Sequence, residues 1–364
     1  MAKEKASRRP DRRTFLLAPL VAPLVGMSRN SLFGGSAAAQ EEPRIPEDTQ
    51  PIYPEYLAPE KTREKLLELL GVELPPERVE FEAGPRETTS DGLQITRLRY
   101  RNSLGEEVPG ALLLPIDAPV RSLPGIVCMS GTSGDTERLI EPGFKRDQPG
   151  QGPLRGWARE LARRGFATLS ITLRGTAARR TSVSHWERHI RFLIPYGRTI
   201  MGVMVDEALS AARILAANPA VEANRIGLTG MSLGGNISWY GMACDPAIRA
   251  AVPVAGSVAS LAALIHEGDT NRHSSYIYIP HLLRYFDHPQ IVARCICPRP
   301  FMVIAPTRDE DMPRRGVDEM VQVVRAAYDA AGHPERFKVY QPDSKHVYKR
   351  QYFEWMTDWF KKYC

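Results

Sequence analysis

Alternating apolar and polar residues characterise the chain before residue 120. Such runs at residues 79–81, 93–100 and 108–115 predict two or three short strands with one buried face. The last two runs are joined by Asn102-Ser103-Leu104-Gly105, a sequence typical of a hairpin turn. We therefore expect the sheet to begin with antiparallel strands.

After residue 120 the pattern changes to short runs that are apolar throughout, separated by segments of helical periodicity. The apolar runs predict buried strands at residues 125–129, 166–173, 225–229, 250–254, 301–305 and 337–340. Helical periodicity covers residues 157–164, 201–218, 233–243, 315–331 and 351–362, and also residues 62–71 ahead of the sheet. This alternation predicts an α/β fold with a mostly parallel central sheet and helices on both faces.

No break in composition divides the chain after residue 60. We expect one domain over residues 60–364, preceded by a Pro- and Glu-rich linker or arm at residues 40–59. Residues 176–200 and 256–292 are expected to be insertions that form a lid. Ligands of open α/β sheets bind beyond the carboxyl ends of the strands, and the lid is expected at that edge.

Positive charge is concentrated at the start of the chain. The sequence has 48 Lys and Arg against 42 Asp and Glu, a formal net charge of +6. Residues 1–39 contain seven basic and two acidic residues, a net charge of +5, which leaves +1 for the rest. A nearly neutral body gives no support for a nucleic-acid partner, and none is expected.

The first 39 residues have the pattern of an export signal. Arg12-Arg13 precedes the apolar run at residues 15–26, and Ala37-Ala38-Ala39 offers a cleavage site. The arginine pair, with Phe and Leu shortly after it, resembles a twin-arginine signal, which implies the twin-arginine export machinery as a partner and a periplasmic or secreted protein. The apolar run is too short, and too interrupted by proline, for a stable membrane anchor. An ordinary basic tail is the alternative.

A serine motif lies between a predicted strand and a predicted helix. Gly230-Met231-Ser232-Leu233-Gly234 directly follows the apolar run at residues 225–229. A G-x-S-x-G string in that context places the serine on a turn so tight that its hydroxyl is exposed. Glycine is needed where the strand and the helix nearly touch. Ser232 is therefore the candidate nucleophile.

The serine needs a base, and the chain offers two late histidines. A base must take the hydroxyl proton, and in the strand-turn-helix hydrolases it follows the nucleophile and the acid along the chain. His346 lies after the predicted strand at residues 337–340 and just before the last helix, and is the preferred base. His333 lies at a helix end, where a capping or surface role is expected.

The acid that orients the base should lie in a loop after a strand. Asp309 follows the predicted strand at residues 301–305 and is the preferred acid. Its separation from His346 leaves room for one helix and one strand. Asp311, Asp269 and Glu267 could each take the same role, and Asp311 also suits an acidic loop that caps the following helix.

Two backbone amides are expected to form an oxyanion hole. One belongs to Leu233, the residue after the nucleophile. The other is expected from Thr132, in the Ser130-Gly131-Thr132 loop that follows the strand at residues 125–129. A tight turn is the structural alternative for that loop, and it is compatible with the catalytic interpretation.

Arginine and aromatic residues cluster in the first predicted insertion and just before it. The arginines are Arg174, Arg179, Arg180, Arg188 and Arg191. A solvated face and a site for an acidic or sugar-acid substrate both fit this cluster. Trp186 and Tyr196 offer apolar or stacking surface to a substrate. Arg174, Trp186 and Tyr196 are therefore the predicted substrate-binding residues.

No metal and no cofactor are expected. His185 and His189 are four residues apart, as two ligands on one helix face would be. The metalloprotease pattern needs Glu directly after the first His, and Trp186 stands there instead.

These motifs together resemble the α/β-hydrolase superfamily. The resemblance covers residues 60–364 and depends on Gly165-Phe166-Ala167, Arg174-Gly175, the serine motif, Asp309 and His346. The opening hairpin with Val108-Pro109-Gly110 resembles the branch that holds dienelactone hydrolase-like proteins, acetyl xylan esterases and prolyl oligopeptidase-type peptidases. The resemblance implies a serine hydrolase whose triad is Ser232, Asp309 and His346.

The chain departs from the family pattern at two places. Ser130-Gly131 replaces the His-Gly that is common before the oxyanion loop, and Thr172-Leu173 precedes Arg174-Gly175 where Asp is usual. Both departures concern the oxyanion loop and the subfamily, and neither touches the three triad positions.

The expected activity is hydrolysis of a carboxylic ester through an acyl-enzyme. The expected substrate is a small-molecule or carbohydrate ester, with an acyl or uronate ester of a sugar preferred because the predicted signal places the enzyme outside the cytoplasm. A prolyl oligopeptidase-type serine peptidase and a non-catalytic binding protein on the same fold are the alternatives.

Overall fold

The computed structural model describes residue 52 and residues 57–144, 154–180, 185–267 and 273–364. The predicted signal at residues 1–39 lies outside the described residues, as do residues 40–51 and 53–56 of the predicted arm. Among the described helices, none is both long enough and apolar enough to cross a membrane.

In the described part of the chain, nine strands form one mixed sheet. They are β1 (Phe81–Thr88), β2 (Leu93–Arg101), β3 (Glu107–Pro115), β4 (Leu123–Met129), β5 (Ala167–Ile171), β6 (Val221–Met231), β7 (Ala250–Val254), β8 (Phe301–Ile304) and β9 (Phe337–Tyr340). Their order across the sheet is β1-β2-β3-β5-β4-β6-β7-β8-β9. The pairings of β1, β2 and β3, and of β3 with β5, are antiparallel, whereas every pairing among the other strands is parallel. The predicted fold class is therefore confirmed.

Eleven α-helices are described around the sheet. They are α1 (Pro59–Leu70), α2 (Thr136–Ile140), α3 (Trp157–Arg163), α4 (His185–Leu193), α5 (Ile200–Ala216), α6 (Leu233–Cys244), α7 (Leu261–Glu267), α8 (Leu282–Tyr285), α9 (His288–Ile291), α10 (Arg314–Ala330) and α11 (Arg350–Tyr363). A π-helical turn, Val292–Ile296, continues α9. Short 3-10 helices lie at Ala177–Arg179, Ile194–Tyr196, Ser275–Ile277 and Pro334–Arg336.

Helices cover both faces of the sheet because its central strands are buried on both sides. Every residue of β4 is buried. Side chains alternate between faces along a strand. Ile126 and Cys128 thus pack with Trp157 of α3 and with α11, while Val127 and Met129 pack on the opposite side with α5 and α6. A strand with one polar face would have left the helices on that side of the sheet without an apolar surface to pack on.

The predicted strand at residues 79–81 is wrong in its bounds, because β1 spans Phe81–Thr88. All eight residues of β1 are exposed, so no alternation marks it in the sequence. Its register with β2 shifts between Ala83 and Arg86, at the position of Pro85. Proline is tolerated at an edge strand or a bulge, where one missing N–H costs little. Backbone pairing with β2 forms this strand rather than burial of its side chains.

Candidate active site

Ser232 occupies the turn between β6 and α6 with φ 53° and ψ −116°. A non-glycine residue at positive φ is strained, and such strain concentrates at functional sites. The Ser232 amide donates a hydrogen bond of 2.8 Å to the Val254 carbonyl at the end of β7. The strained residue is therefore held by the neighbouring strand.

Direct contact between backbones explains the glycines of the motif. A Cβ on Gly230 would lie 2.5 Å from the Gly234 carbonyl carbon and 2.6 Å from the Met129 oxygen. A Cβ on Gly234 would lie 2.5 Å from the same Met129 oxygen. Real Cβ atoms do not approach backbone this closely, so β4, β6 and the first turn of α6 meet only because these positions lack side chains.

Asp309 and His346 are in hydrogen-bond contact. The His346 Nδ1 lies 2.8 Å from one Asp309 carboxylate oxygen and 3.0 Å from the other. The Asp309 side chain is fully buried, and the His346 side chain is 31% exposed. A carboxylate accepts the Nδ1 proton, which leaves Nε2 as the unprotonated nitrogen that can take a proton.

Backbone bonds between two loops hold this pair. Asp309 follows β8 and His346 follows β9, and these strands are parallel neighbours. The Thr307 amide donates to the Pro342 carbonyl at 3.0 Å, and the Arg308 amide donates to the Ser344 carbonyl at 2.9 Å. Ser232 directly follows β6, at the same carboxyl edge of the sheet. The fold therefore brings all three predicted triad residues to one edge.

Asp311 is a second carboxylate beside the pair. Its oxygen lies 3.7 Å from the His346 Nδ1, its amide donates to an Asp309 oxygen at 3.0 Å, and its other oxygen lies 3.8 Å from the His273 Nε2. Asp311 is thus farther from the imidazole than Asp309 and is 35% exposed. The contact with His273 was not expected from the sequence, because that histidine does not follow a strand.

Glu267 and His333 each contact a charged side chain that does not belong to the Asp309–His346 pair. Glu267 forms an ion pair with Arg315, and the His333 Nδ1 lies 3.8 Å from a Glu335 carboxylate oxygen. Asp269, a further candidate acid in the sequence, lies outside the described residues.

A metal ion would compete with the hydrogen bond of the pair. Asp309, Asp311 and His346 place one potential ligand atom each within 4.8 Å of one another. The Nδ1 atom of His346 already faces the Asp309 carboxylate, so a cation bound there would displace that hydrogen bond. The arrangement is better suited to hold a proton than a metal.

The two segments predicted to form the oxyanion hole adjoin Ser232. Leu233 is the first residue of α6, where backbone amides carry the positive end of the helix dipole. The Ser130 carbonyl accepts a 3.1 Å bond from the Gly234 amide, which fixes the loop after β4 against α6. A Cβ on Gly131 would lie 3.5 Å from the Ser232 Cβ, so the loop that contains Thr132 lies beside the nucleophile. Backbone donors at this place suit a developing negative charge.

The three predicted substrate-binding residues are not brought together. Arg174, which follows β5, lines a cavity of about 420 Å³. Trp186 is buried against the edge of Tyr276, with ring centroids 5.1 Å apart. Tyr196 is 82% exposed and does not line that cavity. The acid that binds Arg174, Glu106, was missed because it lies in a hairpin turn with no pattern of its own.

Comparison with known proteins gives one family. Residues 105–357 match the model of the Abhydrolase family. The protein YtaP of Bacillus subtilis (strain 168), which is named as a hydrolase, is 29% identical over 187 residues, or 51% of this chain. The matched part spans 61% of the length of YtaP.

Two solved structures are similar in fold. The acetyl xylan esterase from Paenibacillus sp. R4 has a TM-score of 0.61 at 18% identity, over 87% of this chain and 98% of that one. A glucuronoyl esterase from Solibacter usitatus has a TM-score of 0.64 at 13% identity, again over 87% and 98%. At such identities the likeness shows the fold alone.

We predict that Gly234→Ala destabilises the protein strongly. Its Cβ would meet the Met129 backbone, which cannot yield, so the free energy of unfolding should fall by about 3 kcal/mol or more. Gly131→Ala is the matched control, because its Cβ would make ordinary contacts at 3.5 and 3.6 Å. Urea unfolding measures both variants. A Gly234→Ala protein as stable as Gly131→Ala would contradict the contact described here.

Proposed function

The chain belongs to the Abhydrolase family, and on that basis we propose that it is a serine hydrolase that cleaves a carboxylic ester of a carbohydrate. The observation that carries this proposal is the contact between the buried Asp309 carboxylate and the His346 Nδ1, at the sheet edge where Ser232 sits on a strained turn. A serine, a histidine and a carboxylate in these roles perform acyl transfer.

In the first half of the reaction, the Ser232 hydroxyl attacks the acyl carbon of the ester. The His346 Nε2 takes the hydroxyl proton, and Asp309 stabilises the imidazolium through Nδ1–H. The ester carbonyl oxygen becomes negative and is stabilised by the backbone amides of Leu233 and Thr132. His346 then returns the proton to the alcohol oxygen, which leaves, and the acyl group remains on Ser232.

In the second half, water replaces the alcohol. His346 takes a proton from the water as the water oxygen attacks the acyl carbon, and it gives that proton to the Ser232 oxygen as the ester bond to the enzyme breaks. The products are a carboxylic acid and the free enzyme. The 31% exposure of the His346 side chain supports access of water and substrate from this edge.

Two arguments support a carbohydrate ester as the substrate. Proteins with a similar fold are named as acetyl xylan and glucuronoyl esterases. In addition, the sequence of residues 1–39 favours export by the twin-arginine machinery to the periplasm or the medium, where polysaccharide esters are found. We propose two forms of the ester: an acyl group carried on a sugar hydroxyl, or an ester of the carboxyl group of a uronate.

We predict that Ser232→Ala abolishes turnover of p-nitrophenyl acetate. Loss of the nucleophile should lower kcat by about a thousandfold or more. Ser133→Ala is the control, since it removes an exposed hydroxyl from the adjacent loop. Equal rates for wild type and Ser232→Ala would refute the assignment. Cleavage of dipeptidyl p-nitroanilides as efficiently as esters would indicate a peptidase instead.

We also predict different effects of the two neighbouring carboxylates. Asp309→Asn should lower kcat by about a thousandfold, because an amide that donates to Nδ1 leaves the proton on Nε2 and removes the base. Asp311→Asn should lower kcat less than about tenfold, since its oxygen lies 3.7 Å from that nitrogen. Steady-state kinetics with p-nitrophenyl acetate compares them. The reverse order would assign Asp311 as the acid of the triad.

A further inference from the structure

The cavity beside Arg174 has the chemistry of an anion site. It is lined by Glu106, Arg174, Arg179, Arg188, His189 and Phe192, and we call it the arginine pocket. We propose that it binds a carboxylate carried on a ring of sugar size. The claim that this ligand is part of the substrate rests on the proposed function. Binding of the ligand to the pocket does not depend on that function.

Two of the arginines are buried, and carboxylates already neutralise their charges. The Arg174 and Arg179 side chains are 12% and 11% exposed. Arg179 donates to both oxygens of the fully buried Glu207, at 2.8 and 2.7 Å. Arg174 donates to Glu106 at 2.7 Å, and Glu106 also lies 3.5 Å from Arg179. Two carboxylates therefore neutralise these two arginines.

The third arginine adds a positive charge that is not balanced. Arg188, on α4, also lines the pocket, and its guanidinium lies 5.7 Å from the ring centroid of Phe192. Within residues 57–144, 154–180, 185–267 and 273–364, no carboxylate forms an ion pair with it. The pocket thus has a surplus of one positive charge, which suits a monoanion.

Two further donors of Arg174 have no acceptor among the described residues. Its Nε and Nη1 atoms are buried and donate no hydrogen bond to the described part of the chain. A buried N–H without an acceptor is unfavourable. A carboxylate satisfies guanidinium donors with the strongest hydrogen bonds available to an organic acid. The chemistry of the pocket therefore favours a ligand with a charged acceptor.

Phe192, on the same helix as Arg188, adds an apolar surface to the pocket. Phe192 is 60% exposed although it is a large aromatic residue, and it faces the same cavity. The C–H face of a sugar ring packs well on an aromatic face. The volume of about 420 Å³ lies in the usual range for small-molecule sites. Together these features point to a ring that bears a carboxylate.

One strand separates, in the sheet, the strand that leads to Arg174 from the strand that leads to Ser232. β4 lies between β5, which ends three residues before Arg174, and β6, which ends directly before Ser232. Two strand spacings amount to about 10 Å. If the proposed function holds, the carboxylate in the arginine pocket and the ester group at Ser232 belong to one oligosaccharide fragment.

Calorimetric titration of the Ser232→Ala protein tests the pocket without turnover. The probes are glucuronate, glucose and inorganic phosphate. We expect glucuronate to bind at least about tenfold tighter than glucose, and tighter than phosphate. Arg188→Gln in the same background should weaken glucuronate binding about tenfold.

Arg191→Gln is the matched control. It removes the same charge from the same helix, at an exposed position that does not line the pocket, so glucuronate binding should stay unchanged. Equal effects of the two substitutions, equal affinity for glucuronate and glucose, or a preference for phosphate would each overturn the proposal. If p-nitrophenyl acetate is not hydrolysed while glucuronate still binds through Arg188, the pocket stands and the proposed function fails.

Discussion

Contact between three backbones determines where Ser232 lies. The backbones of Gly230 and Gly234 contact each other and the Met129 carbonyl. β4, β6 and α6 are therefore in direct contact at this position. The chain must turn within a single residue there, and Ser232 takes a positive φ to do so. The cost of that strain, about 1–3 kcal/mol, is offset by the buried parallel strands on either side. The hydroxyl is left at the carboxyl edge of the sheet, beside the loop that contains Thr132.

The parallel order of the strands extends this arrangement to the other two groups. Because β8 and β9 are neighbours, the loops that follow them bond to each other through Arg308 and Ser344. Those bonds fix the buried Asp309 carboxylate against the imidazole of His346, and the carboxylate holds the proton on Nδ1. Each group thus comes from a separate strand end, and sheet geometry rather than local sequence brings the strand ends together.

Much of this arrangement was predictable from the sequence. Burial on both faces gives the central strands an apolar pattern with sharp ends, so the predicted strand at residues 250–254 agrees with β7 and the motif at Ser232 falls at the end of β6. The resemblance to the α/β-hydrolase superfamily is confirmed by the family match. β1 was mostly missed because it is exposed on both faces and forms only through pairing with β2.

The surroundings of the arginine cluster could not be predicted from the sequence. Its members could be recognised, but whether they face solvent or a cavity depends on Glu106 and Glu207, which come from a hairpin turn and the buried face of α5. Long-range pairing of this kind leaves no local pattern.

Labelling with a fluorophosphonate tests the central assignment most directly, because such a probe reacts only with an activated serine. Digestion and mass spectrometry of the labelled protein should find one modification per chain, on Ser232, and none after His346→Ala. Absence of label from the wild-type protein, a label on another serine, or undiminished labelling of the His346→Ala protein would contradict the account.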